Sequence, residues 1–419
     1  MWRWFRWVLL SVGIIIVLVV AFFFLFVKPS SKEMANISIP TYQDPKCTRT
    51  FTPQFNAGSY YQGPLFDSHF HIPPDHGGNF NKFKVTLQKD ITLEDIVCEF
   101  EKEKVTGAIA FYAPDAWLMA TTKSDDEIIN QWIEQAKEIK KGLPGWIHMF
   151  YDPISENTNE ANKVYNSVPG IEGFGELVYL QGESPRSGSK VNDDISLAVE
   201  KVANSNKLAV TVHPEEKDKA DLEDALKKNP NTIFMTHGWG HDNYIMELMN
   251  KYPNFYFTLD STTLSYGDAI YIQGPEDKYV AALKQNFATN IDQAVKQWGT
   301  QIQRHPDRFL WGTDKCFSFH YSEEISKIYE EYARAFIARL DPENQEMFAY
   351  KNAQDIFEKG LQPQLKVQNN NDSGGLGDLP ESARQCIIEK ITEAKWNELV
   401  GHTRPATADE EQTINQCSR

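Results

Sequence analysis

The sequence predicts an α/β chain: a (β/α)8 TIM barrel preceded by a single N-terminal transmembrane helix and followed by a short helical C-terminal extension. Three observations predict it. Eight short apolar runs alternate with segments of helical spacing, the pattern of parallel strands joined by crossover helices. An apolar run without a charge occupies residues 7–27. A polar, Gly-rich stretch at 366–378, KVQNNNDSGGLGD, has no means of burying a core and cuts the last segment from the rest.

The elements follow in chain order. Residues 1–27 read as the anchor, because a helix of that length at about 1.5 Å per residue crosses a hydrocarbon layer of roughly 30 Å. The run ends in Phe22, Phe23, Phe24, Leu25, Phe26 and Val27 and offers no small-residue cleavage site, so the anchor is expected to stay attached. Arg3 and Arg6 precede the apolar run at 7–27 and Lys28 and Lys32 follow it; the free amino terminus tips this weak bias toward a cytoplasmic N-terminus and an extracytoplasmic body. Residues 28–62, rich in Ser, Pro, Thr, Gln and Asn, read as a tether.

The barrel is expected over 63–362, with strands at 64–66, 107–112, 146–151, 171–178, 208–212, 232–235, 255–259 and 309–311. Helical spacing marks 93–103, 126–140, 195–203, 217–228, 242–251, 279–303, 323–340 and 344–359. The long gap after the seventh strand, with Tyr266, Tyr271 and Tyr279, is expected to shape a pocket or to cover barrel hydrophobics. Beyond the linker at 363–378, the segment 379–419 carries an apolar stripe of Ile387, Ile388, Ile391, Ala394, Trp396 and Leu399, then a polar tail.

Composition excludes some partners. Asp and Glu outnumber Lys and Arg by 58 to 42, a net charge of -16 that repels phosphate backbones, so no nucleic acid is expected. The cysteines, Cys47, Cys98, Cys316, Cys386 and Cys417, form no CxxC pair, which excludes a zinc ribbon. Cys386 and Cys417 either staple the C-terminal segment or stay as thiols. Asn36-Ile37-Ser38 and Asn371-Asp372-Ser373 match the N-glycosylation pattern.

Chemistry concentrates where the apolar runs end, the face on which such barrels assemble active sites. The first strand continues as Asp67-Ser68-His69-Phe70-His71, and alternation would put Asp67, His69 and His71 on one inward face, with Asp67 orienting a ring nitrogen. The fourth strand leads to Glu176, the fifth to His213, the sixth to His237 and the eighth to Asp314. Imidazole and carboxylate donors without cysteine suit zinc, manganese or iron as divalent ions. Weaker signals are His241, Arg186 as a carboxylate fork, and Asp260, which would either touch substrate or cap a loop.

The Asp-x-His-x-His of the first strand together with His213, His237 and Asp314 resembles the metal signature of the amidohydrolase superfamily. RFLWGTD at 308–314 and FAYKNAQDIF at 348–357 are similar to the closing segments of its amidohydrolase-2-like branch, and the likeness runs over 64–358. The resemblance implies a metal-dependent hydrolase acting on a small-molecule substrate, with zinc foremost as one or two ions. It allows two ligand arrangements. In one, His69, His71 and Asp314 hold a first ion, His213 and His237 a second, and Glu176 bridges. In the other, His69, His71, His213 and Asp314 hold a single ion while His237 polarises substrate or moves a proton. Glu176 favours the first.

The expected reaction is attack of an activated water on an ester, lactone, amide or phosphoester, with Asp314 as general base and later as proton donor to the leaving group. The alternative implied by the same branch is a metal-dependent decarboxylase. A silent binding scaffold predicts eroded ligand positions, whereas all six are occupied.

Overall fold

The computed structural model describes residues 47–72, 93–112, 124–155, 157–179, 190–238, 242–265, 276–316, 318–359, 381–392, 395–396 and 413. The expected anchor at 1–27, the tether up to residue 46, the linker at 363–378, Arg186, His241, Tyr266, Tyr271 and both glycosylation patterns lie outside the described residues. Among the described residues no helix is long and apolar enough to cross a membrane. The chain divides into two compact units, Met1–Pro363 and Gln364–Arg419.

The first unit alternates strand and helix: β1 (Leu65–His71), α1 (Leu93–Lys102), β2 (Val105–Tyr112), α2 (Asp125–Gly142), β3 (Ile147–Tyr151), α3 (Glu160–Ser167), β4 (Gly173–Val178), α4 (Asp194–Asn206), β5 (Ala209–His213), α5 (Lys219–Lys228), β6 (Ile233–Thr236), α6 (Asp242–Lys251), β7 (Phe255–Asp260), α7 (Ser261–Ser265), α8 (Glu276–Arg304), β8 (Phe309–Gly312) and α9 (Glu323–Ile337). Each strand pairs parallel with the next, in the order β1 to β8. Alternation divides the core. Phe66, Ile109, Phe150, Met235 and Leu310 fill the barrel interior, while Phe70, Trp132, Trp298 and Phe336 belong to the layer between strands and helices.

The end of the barrel at which strands begin is plugged by the last helices. The sequence predicts one helix over 344–359; the structure breaks it into α10 (Pro342–Glu346), a π-helical turn (Met347–Lys351) and α11 (Asn352–Glu358). Ala353 and Ile356 join the interior cluster, and Phe357 stacks on His148 with ring centroids 3.6 Å apart. Asn352 Nδ2 donates to the carbonyls of Pro306 and Phe309 at 2.7 and 2.8 Å, tying α11 to the start of β8. That end is closed, which leaves the other for chemistry.

β1 is longer than its apolar run, and its register against β2 shifts between Asp67 and Phe70. Such a bulge inserts a residue and reverses which face follows. Phe66 therefore lies inside, Phe70 outside, and His69 and His71 inside. This corrects the expectation that Asp67 shares their face and orients a ring. Asp67 sits on the seam between β1 and β8, where Oδ1 accepts from the Thr313 and His69 amides at 2.8 and 3.1 Å and Oδ2 accepts from the Thr313 hydroxyl at 2.7 Å. Burial pushes its carboxyl up to about 7, although Thr313 opposes the shift. The Ser68 hydroxyl adds a seam bond to the Trp311 carbonyl at 2.7 Å.

Residues 47–62, read from sequence as the end of a tether, lie on the barrel as a strap. Cys47 is disulfide-bonded to Cys98 of α1. Arg49 pairs with Glu99 and Glu330, each at 2.7 Å, and Glu331 accepts from the amides of Gln54 and Phe55. Arg334, almost fully buried on α9, donates to the carbonyls of Tyr61, Gly63 and Glu103. In the second unit α12 (Glu381–Ile391) buries Ile387 and Ile391. Cys386 is disulfide-bonded; its expected partner Cys417 lies outside the described residues.

Candidate metal centre

The six expected ligands come from five strand ends and meet at the open end of the barrel. β1 supplies His69 and His71, whose Nε2 atoms are 3.2 Å apart. β8 passes through Gly312 and Thr313 to Asp314, whose Oδ1 lies 3.5 Å from Nε2 of both histidines. Gly312 is required there, since a Cβ would come within 2.9 Å of the His69 backbone nitrogen and Cβ.

Glu176, near the end of β4, stands between two groups. Its Oε2 is 3.5 Å from His69 Nε2 and 3.3 Å from His71 Nε2. Its Oε1 is 2.8 Å from His213 Nδ1 at the end of β5 and in short contact with His237 Nε2 just past β6. Gly238 follows with φ +103°, and a Cβ there would lie 2.7 Å from His213 Nε2, so the chain beyond β6 can approach His213 only as glycine. Three overlapping sets emerge, His69 with His71 and Glu176, His69 with His237 and Asp314, and Glu176 with His213 and His237, each with donor atoms within 4.8 Å of one another. This donor set fits one or two divalent ions: nitrogen and carboxylate oxygen atoms converge without a sulfur.

The charges are matched to such a role. Burial would raise Glu176, but the imidazoles of His237, His69 and His213 hold it well below the usual carboxylate range. Asp314 is likewise held low against its burial, by His71 first and then by His237 and His69. His71, opposed by burial, is raised to about 9 by Asp314 and Glu176. His237, also opposed by burial, is raised well above its usual value by Glu176 and Asp260. His69 is lowered to about 4 by burial and by His237.

Sequence reasoning left Asp260 as either a substrate contact or a loop cap. The structure gives it the cap and a further contact. Oδ1 accepts from the Thr263 amide at 2.6 Å at the start of α7, and Oδ2 lies 3.0 Å from His237 Nδ1. The carboxylate at the end of β7 was the available signal; its partner, 23 positions away, was not. Nothing in the sequence pointed to Lys315, which is fully buried and pairs with Glu103 at 3.1 Å. Tyr279 is buried in the hydrophobic layer around the strands, its hydroxyl in short contact with that of Tyr329.

An eight-stranded parallel barrel whose strand ends converge four imidazoles and two carboxylates defines a metal-dependent barrel enzyme. The Amidohydrolase family model of the second type matches residues 66–359, and the chain belongs to that family. Among solved structures, an amidohydrolase from Burkholderia multivorans is 14% identical, with 70% of this chain and 98% of that one covered and a TM-score of 0.43. A probable 2-pyrone-4,6-dicarboxylic acid hydrolase from Acinetobacter baumannii is 13% identical, covering 71% and 100%, with a TM-score of 0.44. A 2,6-dihydroxybenzoate decarboxylase is 12% identical, covering 71% and 99%, with a TM-score of 0.42. None of the curated proteins matches the chain.

Proposed function

We propose that this chain is a membrane-anchored hydrolase that holds two divalent ions, zinc foremost, and cleaves an ester, lactone, amide or phosphoester of a small molecule. The observation that carries the reading is Glu176, whose two carboxylate oxygens face different groups of donors, Oε2 toward His69 and His71 and Oε1 toward His213 and His237. His69, His71 and Asp314 would hold one ion, His213 and His237 the other, and Glu176 both. When bound, such ions supply Lewis acidity, which lowers the pKa of water toward neutrality and polarises a carbonyl or phosphoryl oxygen. Asp314, ionised and 14% exposed in its side chain, takes the proton of the attacking water at a carboxylate oxygen and returns it to the leaving group.

The deciding experiment counts metal in the purified body alongside a Glu176→Gln variant. About two ions per chain, falling to about one in the variant, is the expected result. One ion unaffected by the substitution would remove the two-ion reading and favour the decarboxylase.

The anchor at 7–27 and an extracytoplasmic body belong to the same proposal. Support comes from the Cys47–Cys98 disulfide, since such bonds persist in oxidising compartments. Digestion of the body by protease added outside intact cells is expected; full protection there, with digestion after lysis, would overturn the orientation.

A further inference from the structure

We infer that Asp260 is a positioning residue that keeps a hydrogen on His237 Nδ1, so that Nε2 is the nitrogen that would give up its proton to an ion, and thereby makes His237 a ligand rather than a proton donor. The inference rests on the two-ion reading of the centre. Asp260 is fully buried at the end of β7. Its Oδ2 lies 3.0 Å from His237 Nδ1, and a carboxylate can only accept, so that nitrogen must carry the hydrogen. Its Oδ1 takes the Thr263 amide at 2.6 Å, so the carboxylate is pinned from its other side by the backbone that opens α7. His237 Nε2 is thereby aimed at Glu176 Oε1, on the side where His213 Nδ1 also arrives. A histidine ligand whose other nitrogen is held by a fixed carboxylate is oriented before the ion arrives. His69 differs: its Nδ1 is buried with no hydrogen-bond partner among the described residues, and its ring packs against Phe111 and His237 instead.

The ion shared by His213, His237 and Glu176 should therefore depend on Asp260, and the ion at His69, His71 and Asp314 should not. Asp260→Asn separates the two duties of the carboxylate. The amide oxygen still accepts from Thr263, keeping the cap, while the NH2 group now faces His237 Nδ1 and forces that nitrogen to accept, moving the ring hydrogen to Nε2. Zinc titration of wild type and variant against a chromophoric chelator, with long-range proton–nitrogen NMR of His237 in the zinc-loaded protein, tests this. We expect one of two ions to bind roughly 10–100-fold more weakly in the variant, the other to be unchanged, and the metal-free melting temperature to hold. Equal affinity for both ions in wild type and variant would overturn the assignment. A wild type that binds one ion would instead remove the two-ion reading, and the NMR would still decide the role of Asp260: hydrogen on Nδ1 in wild type and on Nε2 in the variant sustains it, and the same nitrogen in both overturns it.

Discussion

Asp314 holds a backbone φ of +53°, the left-handed region that non-glycine residues rarely occupy. Its amide donates to the His69 carbonyl at 2.7 Å, so the strained turn joins β8 to β1 where the carboxylate must meet both histidines. Asparagine tolerates that conformation, so Asp314→Asn is expected to fold while losing the proton acceptor. Turnover of any substrate found by screening esters, lactones, amides and phosphoesters should fall on the order of 10²–10⁴-fold, and an unchanged rate would remove Asp314 as the base. A buried carboxylate far from this chemistry shows the opposite electrostatic regime. Glu200 on α4 is pushed up to about 7 by burial, even though Asn229 Nδ2 donates to it at 2.7 Å. A carboxyl raised in the folded state binds its proton more tightly there than in the unfolded chain. Its contribution is therefore most favourable in acid and is lost as pH rises from the ordinary glutamate range through about 7. Glu200→Gln should raise the melting temperature at about pH 8, by the equivalent of roughly 1–3 kcal/mol, and change it little at about pH 4. Equal effects at both pH values would show that the charge is not what matters.

At the scale of elements, the strap at 47–62 is held by one covalent and several polar links to α1 and α9. The Cys47–Cys98 bond closes 51 positions of chain, for which chain-entropy reasoning gives about 4 kcal/mol, with 2–4 kcal/mol the usual outcome. Replacing both cysteines by serine should lower the unfolding free energy by about that amount in denaturant titrations; no change would mean that Arg49 and Glu331 hold the strap unaided. None of this was legible locally. The strap is polar and aperiodic, and its partners lie across the sequence, Glu331 being 277 positions from Gln54. The barrel was legible because each strand is a short apolar run punctuated by a helix, as in β2, β3 and β7. The extent of β1 was legible from its motif although its outer half, Asp-Ser-His-Phe-His, is polar, but its faces were not, because the bulge that sets them leaves no mark in a two-residue period. Position at strand ends made His69, His71, Glu176, His213, His237 and Asp314 readable as a group. The pinning of His237 by Asp260 was not, since it depends on how β6 and β7 turn out of the barrel.

At the scale of the molecule, every expected ligand, the seam and the strap fall within Met1–Pro363, while Gln364–Arg419 forms a separate compact unit. The donors arrive from β1, β4 and β5 and from residues just after β6 and β8, so ions held among them would link strands around the barrel rather than neighbours on one edge. Binding that occurs only in the folded state stabilises it, by about 2.7 kcal/mol for each site filled at a hundred times its dissociation constant. Chelation should therefore lower the melting temperature of the barrel as a whole instead of loosening one loop. A chain ending at Pro363 isolates that effect: it should keep the same number of ions and show the same drop on chelation as the full chain. Loss of ions on truncation would show that the second unit takes part in building the centre. A melt insensitive to chelators in both chains, with metal measurably removed, would mean that the six side chains are held together by the barrel alone and that ion binding adds nothing to its stability.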